Sequence, residues 1–421
     1  MSRINELIRK LCPNGVEYKK VWQITTWDKK YNSVDKYMQP KIIKYNYLLA
    51  NQLNEIIVDN GDVFILETGI NNTKKYTNED LAGDNLCNGE IIAIPWGGTP
   101  NVKYYNGKFV TGDNRIAVSN DINVLNTKFL YYIFENKMNE IADFYRGSGI
   151  KHPEMKKVLN LDIPVPPIKV QEEIVRILDK FGELEAELEA ELEVRKSQYE
   201  FWRDKIFEVE YSKELNFKLG DCIERLTTGL NPRKNFKLNE PGANLYYITG
   251  KDVFNHTINI SNRTDLISSD AVDLINKRAK LEDDILMFAS TGTGTVGRMT
   301  YVEKYDKKWN VSETMFLIKT KSNLLTKYLM YYLESNIALS QYKEKISRGS
   351  VPHLKVKDLL DVYVPLIDIK EQKEIVDIID KFESLSSSII CGLPAEIELR
   401  RKQYEYYRNK LLSFEELSVS E

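Results

Sequence analysis

Gly292 to Met299 reads GTGTVGRM, and a glycine-rich turn of this kind is where a chain can cradle phosphate. The nucleotide-binding form G-x-x-x-x-G-K-[ST] needs a lysine to reach the terminal phosphates and a hydroxyl beside it to hold magnesium. Here Gly297 is followed by Arg298 and Met299, so both groups are missing and the residues speak against nucleotide binding. Two readings remain. The segment is a turn between strands, or it is a loop whose backbone, Ser290, Thr291, Thr293 and Arg298 approach DNA. Gly97 to Lys103, GGTPNVK, falls at the corresponding place after a strand-like block, which makes Gly98, Thr99, Asn101 and Lys103 a second candidate of the same kind.

A further pair of polar clusters lies downstream of each loop. Arg146, Ser148 and Lys151 close one helical stretch, and Arg348 and Ser350 close another. Arginine can meet phosphate or a guanine edge and serine can donate to phosphate. The same residues also suit a helix end terminated by glycine. His152 and His353 stand 201 positions apart, and with His256 they are the only histidines. Cys12, Cys87, Cys222 and Cys391 are scattered without a C-x-x-C pair. Neither set is material for a zinc site, a disulfide framework or a histidine-based catalyst, so no metal or cofactor is expected. An adenine methyltransferase would need [DNS]-P-P-[YF], whereas Pro166 and Pro167 lie between Val165 and Ile168. No helicase or nuclease signature is present either, and the chain reads as non-enzymatic.

The elements that must position these residues are written twice. Pro164 to Phe181, PVPPIKVQEEIVRILDKF, recurs as Pro365 to Phe382, PLIDIKEQKEIVDIIDKF, with 11 of 18 positions identical at an offset of 201. Gln198, Tyr199, Glu200, Arg203 and Lys205 recur as Gln403, Tyr404, Glu405, Arg408 and Lys410 at an offset of 205, an insertion of about one helical turn. Thr127, Lys128, Leu130 and Tyr132 recur as Thr326, Lys327, Leu329 and Tyr331, and Lys20 and Val21 align with Lys218 and Leu219. A repeat near half the chain length means an internally duplicated molecule.

Each half opens on short blocks rich in Tyr, Ile, Val and Thr, such as EIIAIPW and DILMFAS, punctuated by Gly, Asn and Asp; these are strands and turns. Each half then turns helical, at TKFLYYIFENKM and at TKYLMYYLESNI. A long helix follows. In the first, Ile174, Ile177, Phe181, Leu184, Leu188, Leu192, Tyr199, Trp202 and Ile206 recur mostly every three or four residues, which is a coiled-coil seam. ELEAELEAELEV alternates with period two, but Leu, Glu and Ala are strong helix formers, so helix is expected through it. In the second helix Pro394 predicts a break or kink near 386–394, with a restart near Leu393.

The 421 residues carry a net charge of −3, which looks unsuited to nucleic acid until it is localised. Glu172 to Glu208 holds 12 acidic and 6 basic residues, leaving +3 on the remainder, so whole-chain charge does not decide the matter. Acidic side chains crowd the first long helix, while Arg400, Arg401, Lys402, Arg408 and Lys410 occupy the end of the second. Antiparallel packing brings these opposite signs together. No apolar run is long enough to span a bilayer and the first residues lack the apolar core of a signal peptide, so no membrane role and a cytoplasmic location are expected.

P-x-x-x-Q-x-x-I at the helix entry (Pro167, Gln171, Ile174), its second copy with Asp368 in place of the proline (Asp368, Gln372, Ile375), the helix ends KSQYEFWRDKI and RKQYEYYRNKL, and the opening LCPNGVEYKKV together resemble the specificity subunit of type I restriction-modification systems. The resemblance covers essentially the whole chain. It implies an α+β fold of two similar target recognition domains separated by two long helices packed as an antiparallel coiled coil, with pseudo-two-fold duplication. The expected division is 1–165 for the first recognition domain, 166–211 for its spacer helix, 212–366 for the second domain and 367–421 for the second helix. The resemblance further implies that each domain reads one half of a split site in double-stranded DNA. The helices would set the spacing and dock two methyltransferase (M) subunits, which restriction (R) subunits join. Gln171, Ile174, Tyr199, Trp202, Gln372, Ile375, Tyr404 and Tyr407 are the expected docking residues. A coiled-coil adaptor whose domains bind protein is the alternative, and it predicts no salt-dependent affinity for DNA.

Overall fold

The structure, a computed structural model, describes residues 2–70, 74–212, 216–347 and 349–417, with the backbone alone described at Ser2 and 384–392. The chain divides into two compact units, Met1–Glu189 with Ala395–Glu421, and Ala190–Pro394. The long helices Ile168–Ser212 and Ile369–Leu412 each contribute to both units, the first changing unit after Glu189 and the second after Pro394.

In the first unit the strands are β1 (Glu17–Lys20), β2 (Thr25–Trp27), β3 (Val63–Leu66), β4 (Tyr76–Thr77), β5 (Cys87–Pro95), β6 (Lys103–Thr111), β7 (Asn114–Ser119), β8 (Tyr145–Arg146), β9 (His152–Pro153) and β10 (Asp162–Val165). Six of them form one sheet in the order β2-β7-β5-β6-β3-β4, with β3 and β6 parallel and the other neighbours antiparallel. The apolar block in β5 follows from its central place. Successive side chains leave a strand on opposite faces. Ile92 and Ile94 enter the core that includes Phe129, Leu130 and Ile133, while Ile91 and Ala93 pack with Leu66, Phe109 and Ile116.

The second unit contains β11 (Asn216–Lys218), β12 (Ile223–Thr228), β13 (Leu245–Ile248), β14 (Val253–Phe254), β15 (Thr257–Ile258), β16 (Asp265–Ile267), β17 (Ile285–Ala289), β18 (Met299–Val302), β19 (Trp309–Val311), β20 (Met315–Thr320) and β21 (Tyr363–Pro365). Here the sheet is split, into β12-β20-β17-β18 and β16-β13-β19. The central β17 again buries both faces. Leu286 and Phe288 pack with Tyr328 and Tyr332, and Ile285, Met287 and Ala289 pack with Ile248 and Ile275.

Around these different sheets the two units share a frame. β1 pairs with β10, and β11 with β21, each joining the start of a domain to the strand that leads into its long helix. Lys20 pairs with Asp162 (2.6 Å) directly across the first ladder, and Lys218 with Asp361 (2.8 Å) just before β21 beside the second. The helix Thr127–Asn136 sets Lys128 and Tyr132 on Asp179 of the first long helix. The helix Thr326–Leu333 sets Lys327 and Tyr331 on Asp380 of the second. The repeated Thr-Lys-x-Leu-x-Tyr is thus the face that grips the long helix. Gln171 is fully buried, accepts from the Asn126 backbone N–H and donates to the carbonyls of Val124 and Pro166. Gln372 does the same with Leu325, Asn323 and Ile367.

Within the first unit the two helical segments run antiparallel. Phe181 stacks on Tyr407 at 5.5 Å, and further along Arg401 reaches Glu185 and Glu189, at 2.5 and 2.6 Å. The opposite-charge pairing is narrower than expected, because Arg400 and Lys402 bond within their own helix, to Glu396 and Glu398, and Arg408 turns to Glu135. One expectation is corrected. Of the break or kink expected near 386–394, the break is not found: Ile369–Leu412 is one helix with Pro394 inside it. Proline removes one backbone donor and one rung, and the helical hydrogen bonds on either side carry the backbone across. Among the described residues no helix is long and apolar enough to cross a membrane.

Candidate nucleic-acid interface

Each unit brings its glycine-rich loop and its arginine-glycine-serine loop together, and in each the aligned histidine is the pin. In the first unit the chain leaves β5 at Trp96, whose carbonyl oxygen lies 2.7 Å from His152 Nδ1 while the two rings pack at 5.1 Å. Gly98, at φ 102°, donates its N–H to the Lys151 carbonyl at 3.1 Å. The two loops approach closely at Gly97, where a Cβ would stand 2.8 Å from Ile150 Cγ2 and 3.0 Å from His152 Cε1 and would make those side chains shift. In the second unit Thr291 and His353 form a β-bridge, with Thr291 Oγ1 at 2.7 Å from His353 Nδ1. Gly292, at φ 126°, donates its N–H to the Pro352 carbonyl at 3.0 Å.

The side chains at these loops divide into those that build the loop and those that leave it. Gly98, Thr99, Arg146, Ser148 and Lys151 are exposed in the first unit, as are Thr293 and Ser350 in the second. Arg146 donates to its neighbour's carbonyl, that of Tyr145, at 3.2 Å. Arg348 lies outside the described residues. Asn101 is turned inward, donating to the carbonyls of Thr68 (3.2 Å) and Thr99 (3.0 Å). Lys103 donates to the Glu67 carbonyl, and burial draws its ammonium down to about 8 against the opposing charge of Glu67.

Several candidates have partners within the loop's own structure. Ser290 is 1 % exposed and its hydroxyl donates to the Thr314 carbonyl, so it holds the base of the loop. Arg298 is half-buried, donates toward the carbonyls of Gly250 and Val253, and lies over the Phe254 ring. Lys103 and Asn101 are bound up in the same way. A polar residue in a glycine-rich loop satisfies the loop's own carbonyls first, which a sequence does not reveal.

The docking set divides similarly. Gln171, Ile174, Gln372 and Ile375 are buried inside their own units and offer no surface. Tyr404 is half-buried and donates to Glu135. Tyr199 is half-buried beside Arg203, and Tyr407 against Phe181. Trp202 is 52 % exposed and is the member of the set that faces solvent. Among the described residues there is no cluster of three His, Cys, Asp or Glu side chains that could hold a metal ion. The histidine pins were missed as functional parts, although their identical offset was the signal for them.

A duplicated α+β chain, with paired polar loops on each half and two long helices that contribute to both units, defines an internally repeated two-unit class of protein. The sequence matches the type I restriction modification DNA specificity domain over residues 27–194 and again over 213–399, and the chain belongs to that family. It is 32 % identical over 312 residues to the specificity subunit of the EcoR124I/EcoR124II type I restriction enzyme of Escherichia coli, covering 71 % of this chain and 74 % of that one. The fold is similar to that of the S subunit of a type I restriction-modification system from M. genitalium, with a TM-score of 0.54 and 16 % identity over 94 % of this chain and 96 % of that one.

Proposed function

We propose that this chain is the non-catalytic DNA-specificity subunit of a cytoplasmic type I restriction-modification complex, each unit reading one half of a bipartite site in double-stranded DNA. The observation that carries the reading is the recurrence of one loop assembly in both units: a glycine-rich loop pinned by histidine to a polar loop, with short polar side chains left exposed in both and the cations Arg146 and Lys151 exposed in the first. Base readout needs such groups at a groove, while phosphate contacts hold the register. Thr99, Arg146, Ser148 and Lys151 serve the first half-site, and Thr293 and Ser350 the second. The exposed helix faces, Trp202 among them, dock two methyltransferase subunits, and restriction subunits join that core. The domains proper are residues 1–165 and 212–366.

The test is co-expression with a cognate methyltransferase subunit, followed by mapping of methylated adenines in host DNA. A split motif is expected, and exchange of residues 17–160 for the corresponding segment of a relative alters one half of it. A stable complex that methylates no split motif overturns the reading.

A further inference from the structure

His256 stands at the tip of the two-residue turn Asn255–His256 between β14 and β15, with φ 49° and 55° at the two positions. Asparagine and histidine tolerate this left-handed region better than other side chains, and two such residues make the tight turn that suits strand twist. The turn aims the imidazole at the helices of its own unit. Nε2 lies 2.7 Å from Glu334 Oε1, just beyond the helix Thr326–Leu333, and Nδ1 lies 2.6 Å from Glu383 Oε1 of the second long helix. A neutral imidazole has one N–H and one lone pair. Two carboxylates at hydrogen-bond distance from both nitrogens therefore require the imidazolium, with both nitrogens donating.

The hairpin that carries His256 also holds the candidate DNA loop. Arg298 reaches back to the carbonyls of Gly250 and Val253, and Thr300 donates to the His256 carbonyl at 2.6 Å. Gly250 is packed so closely on Ala289 and Thr295 that a Cβ there would stand 2.9 Å from Ala289 Cβ. The line of contact runs from the long helix through Glu383 and His256 to the hairpin, and from the hairpin to Gly292–Arg298. Among its described residues the first unit has no counterpart: Gly182 stands where Glu383 stands, and Glu135, the equivalent of Glu334, is taken by Tyr404 and Arg408.

We propose that His256, as an imidazolium held between Glu334 and Glu383, is a positioning residue that ties the recognition loop of the second unit to the long helix, so that this unit alone carries a pH-dependent brace. Among the groups around it, the Tyr331 hydrogen bond and the Lys327 charge help hold Glu383 ionised. Tyr331 donates to Glu383 and Asp380, Lys327 pairs with Asp380, and Arg203 stands 3.6 Å from Glu334. Tyr199 and Tyr342 also face Glu334, whose charge pushes both hydroxyls up after burial has done so, and Glu383 adds to this at Tyr199. Burial pulls the His256 imidazolium down, but the hydrogen bonds and charges of Glu334 and Glu383 more than reverse this and push it up to about 10. The consequence for DNA specificity rests on the function proposed above; the brace itself does not.

The experiment is hydrogen exchange on the full chain, wild type against His256→Asn, which keeps a residue suited to the turn and removes the imidazolium. At pH 7 the variant is expected to exchange about tenfold faster at 249–258 and 289–298 while the 96–103 loop is unchanged. The difference should close as pH is raised toward 10. Equal protection of 289–298 at pH 7 in the two proteins overturns the proposal. If His256→Asn does not fold, imidazole 15N chemical shifts on wild type decide: a doubly protonated His256 at pH 8 supports the brace, and a neutral ring there refutes it. Where exchange behaves as expected, mapping methylated adenines in His256→Asn follows. Relaxed choice in the second half-site alone extends the brace to specificity, and an unchanged motif confines it to the loop and overturns its positioning role in recognition.

Discussion

Glu135 and Glu334 occupy the same place in the two units and are used differently. Glu135 accepts from Tyr404 and faces Arg408 at 3.1 Å, so a carboxylate near the end of one domain helix is answered by the far end of the second long helix. Glu334 faces the equivalent Arg203 at 3.6 Å, but its closer partner is His256, from the variable part of its own domain. The equivalent of Tyr404 in that unit is Tyr199, whose hydroxyl is buried and finds no hydrogen-bond partner among the described residues. A duplicated frame keeps its positions while the loops inserted into it compete for them. At this position one unit is clamped helix to helix, and the other adds a loop to the clamp.

The comparison can be broken where it claims equivalence. Gln171→Ala and Gln372→Ala each strip a buried site of its hydrogen bonds, and each is expected to destabilise its unit by about 3 kcal/mol. Urea unfolding followed by hydrogen exchange in each unit measures this. A loss in one unit without the other would end the claim of a shared frame.

It can be sharpened where it claims difference. His256 contributes stability that is fully present below its unfolded value near 6.5 and fades as pH rises toward about 10, because its folded-state value is raised. Glu334→Gln should flatten that slope and cost the second unit about 2 kcal/mol at pH 7. Glu135→Gln should leave the slope intact, since no histidine faces Glu135. Equal pH profiles in the two variants would remove the asymmetry. On DNA, Arg146→Ala is expected to weaken binding of the assembled complex by about tenfold at physiological salt and to reduce the salt slope by about one, read by titration at several salt concentrations. Smallest of all is Arg401→Ala. Its pairs with Glu185 and Glu189 are solvent-exposed, so a loss of about 0.5 kcal/mol or less, vanishing at high salt, is expected in thermal unfolding.

The frame was legible in the sequence because its constraints are local and used twice. The same Lys, Tyr and Asp must recur if the same grip is made, so Lys128, Tyr132 and Asp179 come back as Lys327, Tyr331 and Asp380. The paired loops were legible for a related reason, since Gly98 and Gly292 need positive φ at equivalent turns. What stayed hidden depends on contacts between residues far apart in the chain. Nothing near Ser290, Lys103 or Arg298 announces that their donors are taken by Thr314, Glu67 and Gly250. The strand orders of the two sheets and the placing of His256 between Glu334 and Glu383 belong to the same class. Pro394 misled for the opposite reason: local propensity forbids it mid-helix, and the surrounding helix tolerates the loss of one rung.

The hydrogen bonds of the Gln171 and Gln372 side chains go to main-chain atoms. The groups they bond belong to Val124, Asn126 and Pro166 in one unit and to Asn323, Leu325 and Ile367 in the other, yet the bonds are the same. A joint made this way is blind to side chains. The loops and sheets can drift in sequence, or be exchanged wholesale, without loosening their attachment to the helix. Such a molecule can change what it reads while keeping the means by which it is built.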